Sequence, residues 1–434
     1  MLARKHQVPG AQLAIHHGGV TAASEVGELE FGTGCRVTSD AAFPIGSITK
    51  CFTATVAMIL EADGDVDPDA PIGDYVPELD EPVAVLSLRH LLSHTSGLAA
   101  SPGLGEAPIP TLRRCAEQIS REDLVLPPGT GFSYSNSGYA LVGLLIETIT
   151  GMSWAEALEM ILLRPLDIEP ALVGIPAARP SPRPIAVGHS VNAAIARTRP
   201  VQQSRTPADV PAGALAVSAL DLVKLGLLHV DPGEPHLLPA ACAERMRRPV
   251  PGALPFGLAH GWGLGLAVYR HGTADWVGHD GNADGTACYL RINPADGWVI
   301  ALTTNASTGT GLWQDLLAEL EGADVPIGPP DAPVPAWPPL PPPPGCEGKY
   351  INGDMELLVT AGAGGSVQLT IDGESSTPLT FHEDMAFSVT DPASGRPVFG
   401  GRFVPDPVTG AIQGMQVGGR FARQLSPARS GASR

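Results

Sequence analysis

The chain has 434 residues and a net charge of −18, with 51 glycines and 44 prolines. That length suffices for two domains and a large core. The acidity, with no run of lysine or arginine, argues against nucleic acid as a partner.

Taken from the N-terminus, "MLARKHQVPGAQLAIHHGGV" breaks its apolar character with proline, glycine and histidine, so no secretory signal is expected. No apolar run approaches the ~20 residues that span a bilayer, and a soluble, cytoplasmic protein that does not bind membranes is expected. The cysteines Cys35, Cys51, Cys115, Cys242, Cys288 and Cys346 are scattered, which predicts free buried thiols rather than a disulfide framework or a zinc site. From Gln12 to Phe31 short apolar runs separated by glycines predict a hairpin. After Ser47, the residues Phe52, Val56, Met58, Ile59 and Leu60 predict a helix up to Gly64, with Ser47 at or beside its N-terminus.

Further on, "SGYALVGLLIETITGMSWAEALEMILLRPL" predicts two helices, the first ended at Gly151 and the second capped by Ser153. From Trp276 adjacent antiparallel strands joined by "NPADG" are expected, followed by a helix in "GLWQDLLAELEG". Strands at both ends and helices between them predict one sheet built from both ends of a domain, with a helical lobe beside it. Residues 328–345, "GPPDAPVPAWPPLPPPPG", form a proline-rich linker. Short turn-marked strands over 346–425 predict a small antiparallel barrel or sandwich, and 426–434 a disordered tail. The first domain is accordingly expected to span 1–327.

The chain holds only four lysines, and one of them, Lys50, stands three residues after Ser47. On a helix this spacing puts the amine within reach of the hydroxyl. Lysine is also the cation whose pKa burial can lower until it accepts a proton. A helix N-terminus adds N–H groups suited to an oxyanion. The plain alternative is that Ser47 only caps a helix.

Two further motifs lie downstream in order: Tyr134-Ser135-Asn136 within "GTGFSYSNSGYALVG", and His279-Asp280-Gly281 within "WVGHDGNADGT". Together with the Ser47–Lys50 pair they resemble the active-site signature of the serine β-lactamase and penicillin-binding-protein superfamily. "LRHLLSHTSGL", "PPGTGFSYSN" and "PAGALAVSALDLVKL" are similar to its class C-like branch. The resemblance, over residues 8–320, implies an α+β fold: a β-lactamase/transpeptidase-like domain, with an antiparallel sheet flanked by helices and a helical lobe, followed by a small all-β lipocalin-like domain.

It also implies roles. Ser47 is the nucleophile; Lys50 and Tyr134 are the base, the lysine charge lowering the phenol pKa; Asn136 orients Lys50 and the acyl group; and His279 bonds Tyr134 or meets a substrate carboxylate. The backbone N–H groups of Ser47 and Asn282 form the oxyanion hole, with Gly281 lining the substrate site. No metal or organic cofactor is implied.

The block Val187–Ala219 and the appended strand-rich domain look most like the stand-alone penicillin-binding-protein-type thioesterases. These take a peptidyl thioester from a nonribosomal peptide synthetase carrier domain and release it by head-to-tail cyclisation. In "MQVGGRFARQL" a single strand would put Arg420 opposite Met415, Val417, Gly419 and Phe421, free to meet an anion, with Arg423 as second choice. The other readings are a cytoplasmic class C-like esterase or D-amino-acid-specific peptidase, and a penicillin-binding sensor that never turns over. Ring size, peptide sequence and oligomeric state have no signature in the chain.

Overall fold

A computed structural model of the chain describes residues 1–101, 111–174, 181–230, 237–271, 274–328, 338–362, 365–374, 376–390 and 397–425. Half of the proline-rich linker, 329–337, and the tail 426–434 therefore lie outside the described residues.

The first unit is organised by a seven-stranded sheet, in the order Val20–Gly27, Gly10–His17, Trp298–Thr304, Thr286–Asn293, Ala274–Ala283, Ala267–His271 and Gly261–Trp262. Every neighbouring pair is antiparallel, and the two ends of the unit meet where Ala11 pairs with Thr304. The expected hairpin is present, turning at Gly18-Gly19. All eight residues of Thr286–Asn293 are buried, because helices cover both faces of the sheet. Along Trp298–Thr304 the pleat sends Val299 and Ala301 to one core, shared with Leu222 and Val223 of the helix Ala219–Leu227. Ile300 and Leu302 go to the other, with Leu312, Trp313 and Leu316 of the helix Gly309–Gly322.

The helical lobe is built on two central helices, Thr49–Asp63 and Asn136–Thr150. Thr49 to Leu60 are buried without interruption and carry apolar residues around the whole helix, the pattern of a helix enclosed by protein. Gly151 ends the second helix in a left-handed conformation, and Ser153 opens Trp154–Leu158 with a capping box, as the sequence predicts. Among the described residues no single helix is long and apolar enough to cross a membrane. All six cysteines are free; five are buried, but Cys35 is exposed, on the loop after the first hairpin.

The second unit is a closed barrel of eight antiparallel strands in chain order, from Gly348–Asn352 to Arg420–Gln424, sealed where Tyr350 pairs with Gln424. Aromatic side chains fill its interior: Tyr350, Phe381 and Phe387 all lie within about 6 Å of Phe403, ring centre to ring centre. The sequence reading of "MQVGGRFARQL" as one strand is corrected here. Strands Ile412–Val417 and Arg420–Gln424 form a hairpin around Gly418-Gly419, both at positive φ (53° and 73°). A two-residue turn with both central residues left-handed matches the twist of the flanking strands, and glycine adopts it without a Cβ penalty. Arg420 thus stands at a hairpin tip.

Candidate active site

Ser47 lies in a tight turn, Gly46–Ile48, that runs directly into the helix Thr49–Asp63. No side-chain cap bond forms at either start, so Ser47 is not serving as a helix cap. The turn is pressed against the strand Ala274–Ala283 backbone to backbone. A Cβ on Gly46 would collide with the Asn282 carbonyl, and one on Gly281 with the Ile45 carbonyl. Glycine at both positions lets the nucleophile turn and the strand approach this closely.

The strand pairs with Ala267–His271 only as far as Gly278, so from His279 onward its outer edge is open towards the Ser47 turn. The Ala283 N–H points the other way, to Thr286 Oγ1 at 3.2 Å. Alternation along a strand therefore turns the N–H of Asn282 to the open edge, on the side of the Ser47 turn. Together with the N–H of Ser47 at the head of a helix, this is the donor pair an oxyanion requires.

Lys50 is 1% exposed, and its Nζ donates to Ser47 Oγ at 3.2 Å and to the Ala212 carbonyl at 3.0 Å. It lies over the Tyr134 ring, 4.9 Å from the centroid. Burial, with Arg420 as the next cause, pulls the Lys50 pKa down to about 7. Burial raises that of Tyr134 well above its usual value, although a hydrogen bond from Ser47 opposes the rise. This inverts the expected division of labour: the group nearest neutrality is the Lys50 amine, and Tyr134 stays a neutral phenol that can pass a proton.

Tyr134 Oη stands 3.5 Å from His279 Nε2, and His279 Nδ1 donates to its neighbour's carbonyl, Asp280 O, at 2.5 Å. That bond fixes the proton on Nδ1 and leaves Nε2 as an acceptor for the phenol. Burial, then Lys50, lowers the His279 pKa to about 4, so at neutral pH it carries no charge with which to hold a carboxylate.

Asn136 begins the helix Asn136–Thr150, its N–H donating to Ala100 O at 2.7 Å. Its Oδ1 is buried without a hydrogen-bond partner. The expected bond to Lys50 is absent; the Lys50 amine donates to Ser47 Oγ and the Ala212 carbonyl instead.

The barrel completes the site. Gly419 O accepts from Tyr134 N–H at 2.9 Å, and the Arg420 guanidinium lies 5.6 Å from the centroid of the same phenol ring. Gln416 Nε2 donates to Phe132 O at 3.1 Å and Leu254 O at 3.3 Å, and Phe399 of the barrel meets Phe256 at 5.0 Å. Arg423 is exposed and lines a groove with Leu124 to Pro127. No hydrogen bond or ring contact joins it to Ser47, Lys50, Tyr134 or His279.

Three contributors carry no role in the sequence reading. The Ala212 carbonyl belongs to "PAGALAV", but a backbone acceptor has no residue signature. His94, from "LSHTSG", is fully buried at positive φ (57°), accepts from Ser135 N–H at 3.1 Å and packs against Tyr134 with ring centroids 4.3 Å apart at a 34° tilt. Trp262 closes the aromatic wall, 5.2 Å from His279.

A serine whose hydroxyl meets a buried amine and a buried phenol, under paired backbone donors, is equipped for acyl transfer through a seryl ester. The chain belongs to the Beta-lactamase family, whose model matches residues 2–323. It is 34% identical to penicillin-binding protein 4 of Amycolatopsis lactamdurans over 355 residues, 77% of this chain and 92% of that one. The crystal structure of SurE superposes with a TM-score of 0.88 at 39% identity, covering 98% of this chain and 97% of that one. A D-stereospecific amidohydrolase from Streptomyces sp. matches at a TM-score of 0.59 and 25% identity, over 74% and 96% of the respective chains.

Proposed function

We propose that the chain is a stand-alone serine thioesterase and acyltransferase. It takes a nonribosomal peptide from the carrier domain of its synthetase as a seryl ester on Ser47, and releases it when the peptide's own N-terminal amine attacks that ester. The observation that carries this reading is the Gly418-Gly419 hairpin, which brings Arg420 of the second unit to the Tyr134 ring. A cation delivered from a separate barrel suits a long acyl chain with carbonyls to be gripped along its length.

In the acylation step the Lys50 amine, or Lys50 through Tyr134, takes the Ser47 proton while the N–H groups of Ser47 and Asn282 receive the carbonyl oxygen. The thiol of the carrier leaves with a proton returned from the same pair. In the second step Lys50 and Tyr134 deprotonate the incoming amine, and Ser47 is released. The free Asn136 Oδ1 is positioned to accept from an amide N–H of the acyl chain. The solved complex of SurE with D-Leu, a structure this chain matches over both units, favours a D-residue at the ester.

The second reading, hydrolysis by a D-specific peptidase or esterase, draws on the likeness to the D-stereospecific amidohydrolase. It uses the same acyl-enzyme with water as acceptor. Mass spectrometry separates the two. A linear peptidyl thioester with a free N-terminal L-residue and a C-terminal D-residue is incubated with wild type and Ser47→Ala. A product at the substrate mass less the thiol, formed by wild type alone, supports cyclisation; free acid alone, with fast turnover of small esters, replaces it with hydrolysis. An adduct at Ser47 that persists with every donor favours the non-turnover sensor.

A further inference from the structure

Asn352 ends the first barrel strand, Gly348–Asn352, and is 1% exposed. Its Oδ1 accepts from Ala100 N–H at 2.7 Å, and its Nδ2 donates to Phe421 O at 2.6 Å and to Ser133 Oγ at 3.3 Å. Ser133 Oγ also accepts from Phe421 N–H at 3.3 Å.

Each partner adjoins a different member of the site. Ser133 precedes Tyr134. Phe421 follows Arg420. Ala100 supplies the carbonyl that accepts the Asn136 N–H at 2.7 Å. One buried carboxamide therefore joins three segments that come from distant parts of the chain and from both folded units. The bonding requires an amide in this orientation: the oxygen faces a donor, and the nitrogen faces two acceptors. A carboxylate would set an oxygen against the Phe421 carbonyl, and an alkyl group would leave Ala100 N–H buried without a partner.

We infer that Asn352 is a positioning residue of the acyl-transfer site, the group that holds Tyr134, Asn136 and Arg420 in mutual register. The inference rests on the seryl-ester reading of Ser47. It gives the barrel a part in the chemistry of every acyl donor, through the backbone beside the phenol, as well as in gripping long ones. A residue that merely cemented two domains together would be missed in stability, not in the rate or pH dependence of acylation.

The test uses the full chain with Asn352→Ala, Asn352→Asp, Ser133→Ala and the Asn352→Ala/Ser133→Ala pair. Ser47 is titrated with a fluorophosphonate, thermal unfolding is followed, and acylation by a p-nitrophenyl ester is timed from pH 5 to 10. Misplacing reacting groups by about 1 Å costs on the order of 100-fold. Asn352→Ala is therefore expected to acylate about 10- to 100-fold more slowly with KM little changed, and its pH limb is expected to move upward as Arg420 recedes from Lys50. The pair should lose less than the two single losses multiplied together, because both act through one contact. Asn352→Asp, which keeps the bond from Ala100 N–H, provides the readout if the alanine variant does not fold. A folded variant with wild-type acylation rate and pH limb overturns the inference, and so do independent, multiplying losses in the pair. Wild type that fails to label at Ser47 overturns the seryl-ester reading, and this role with it; labelled wild type with unaffected variants overturns this role alone.

Discussion

Lys50 and Arg420 approach the same phenol ring, at 4.9 and 5.6 Å from the Tyr134 centroid, and they come from different folded units. Two cationic groups beside one buried ring repel each other. The repulsion falls on the one that can give up its proton, because arginine stays charged at any ordinary pH. Burial does most to bring the Lys50 pKa down to about 7, and the Arg420 charge adds to it.

Acylation should follow this directly. The neutral amine is the base, so kcat/KM for a small ester should rise through a limb near pH 7 and then level off. Arg420→Gln removes a like charge and should move that limb to higher pH. Stopped-flow acylation across pH checks both; an unmoved limb would detach Arg420 from the electrostatics of Lys50.

Burying Lys50 also costs stability, with a definite sign. Its folded pKa of about 7 lies below the ordinary 10.5, so from about 7 to 10.5 the unfolded chain binds the extra proton. The destabilisation is complete below pH 7 and gone above the ordinary value. Lys50→Met should therefore abolish acylation yet raise the unfolding temperature, and raise it more at pH 6 than at pH 10. Thermal scans at the two pH values decide this.

The nucleophile and the phenol give the sharpest losses. Ser47→Ala should form no covalent adduct. Tyr134→Phe keeps the ring but removes the proton carrier between Ser47 and His279, and should cost about 10²- to 10⁴-fold in acylation. Intact-protein mass spectrometry and single-turnover rates measure the two.

His279 should act as a neutral acceptor. With its pKa near 4, the acylation profile should show no inflection in the usual histidine range, and His279→Phe should slow acylation while leaving the limb near pH 7 in place. Loss of that limb in the variant would transfer the titration from Lys50 to His279.

Much of this was legible in the sequence because it is local. The hairpin at Gly18-Gly19, the helix after Ser47, the Gly151 stop and the Ser153 cap follow from periodicity and turn chemistry. The order Ser47–Lys50, Tyr134–Asn136, His279–Gly281 pointed to one site. The rest depended on contacts distant in sequence. The Lys50 acceptor is a carbonyl at Ala212, which no side-chain pattern encodes. Asn352 sits in an ordinary turn sequence, and its partners at Ala100, Ser133 and Phe421 are 252, 219 and 69 residues away. Reading "MQVGGRFARQL" as one strand missed the reversal that two glycines make there, and that reversal is what brings Arg420 to the Tyr134 ring.

That reversal separates two things most active sites keep together. The nucleophile and its hydrogen-bonding partners are fixed by a large core in which a single substitution disturbs many neighbours. The cation that tunes the base rides on a short loop at the rim of an independently closed barrel. Variation in hairpin length or sequence can therefore change the charge and the width of the cleft, and the support of Tyr134 through Gly419 O, without altering the core that holds Ser47 and Lys50. Divergence in acyl-donor preference among relatives of this architecture is expected to concentrate at that loop, and grafting one hairpin for another is the natural route to redirecting such an enzyme.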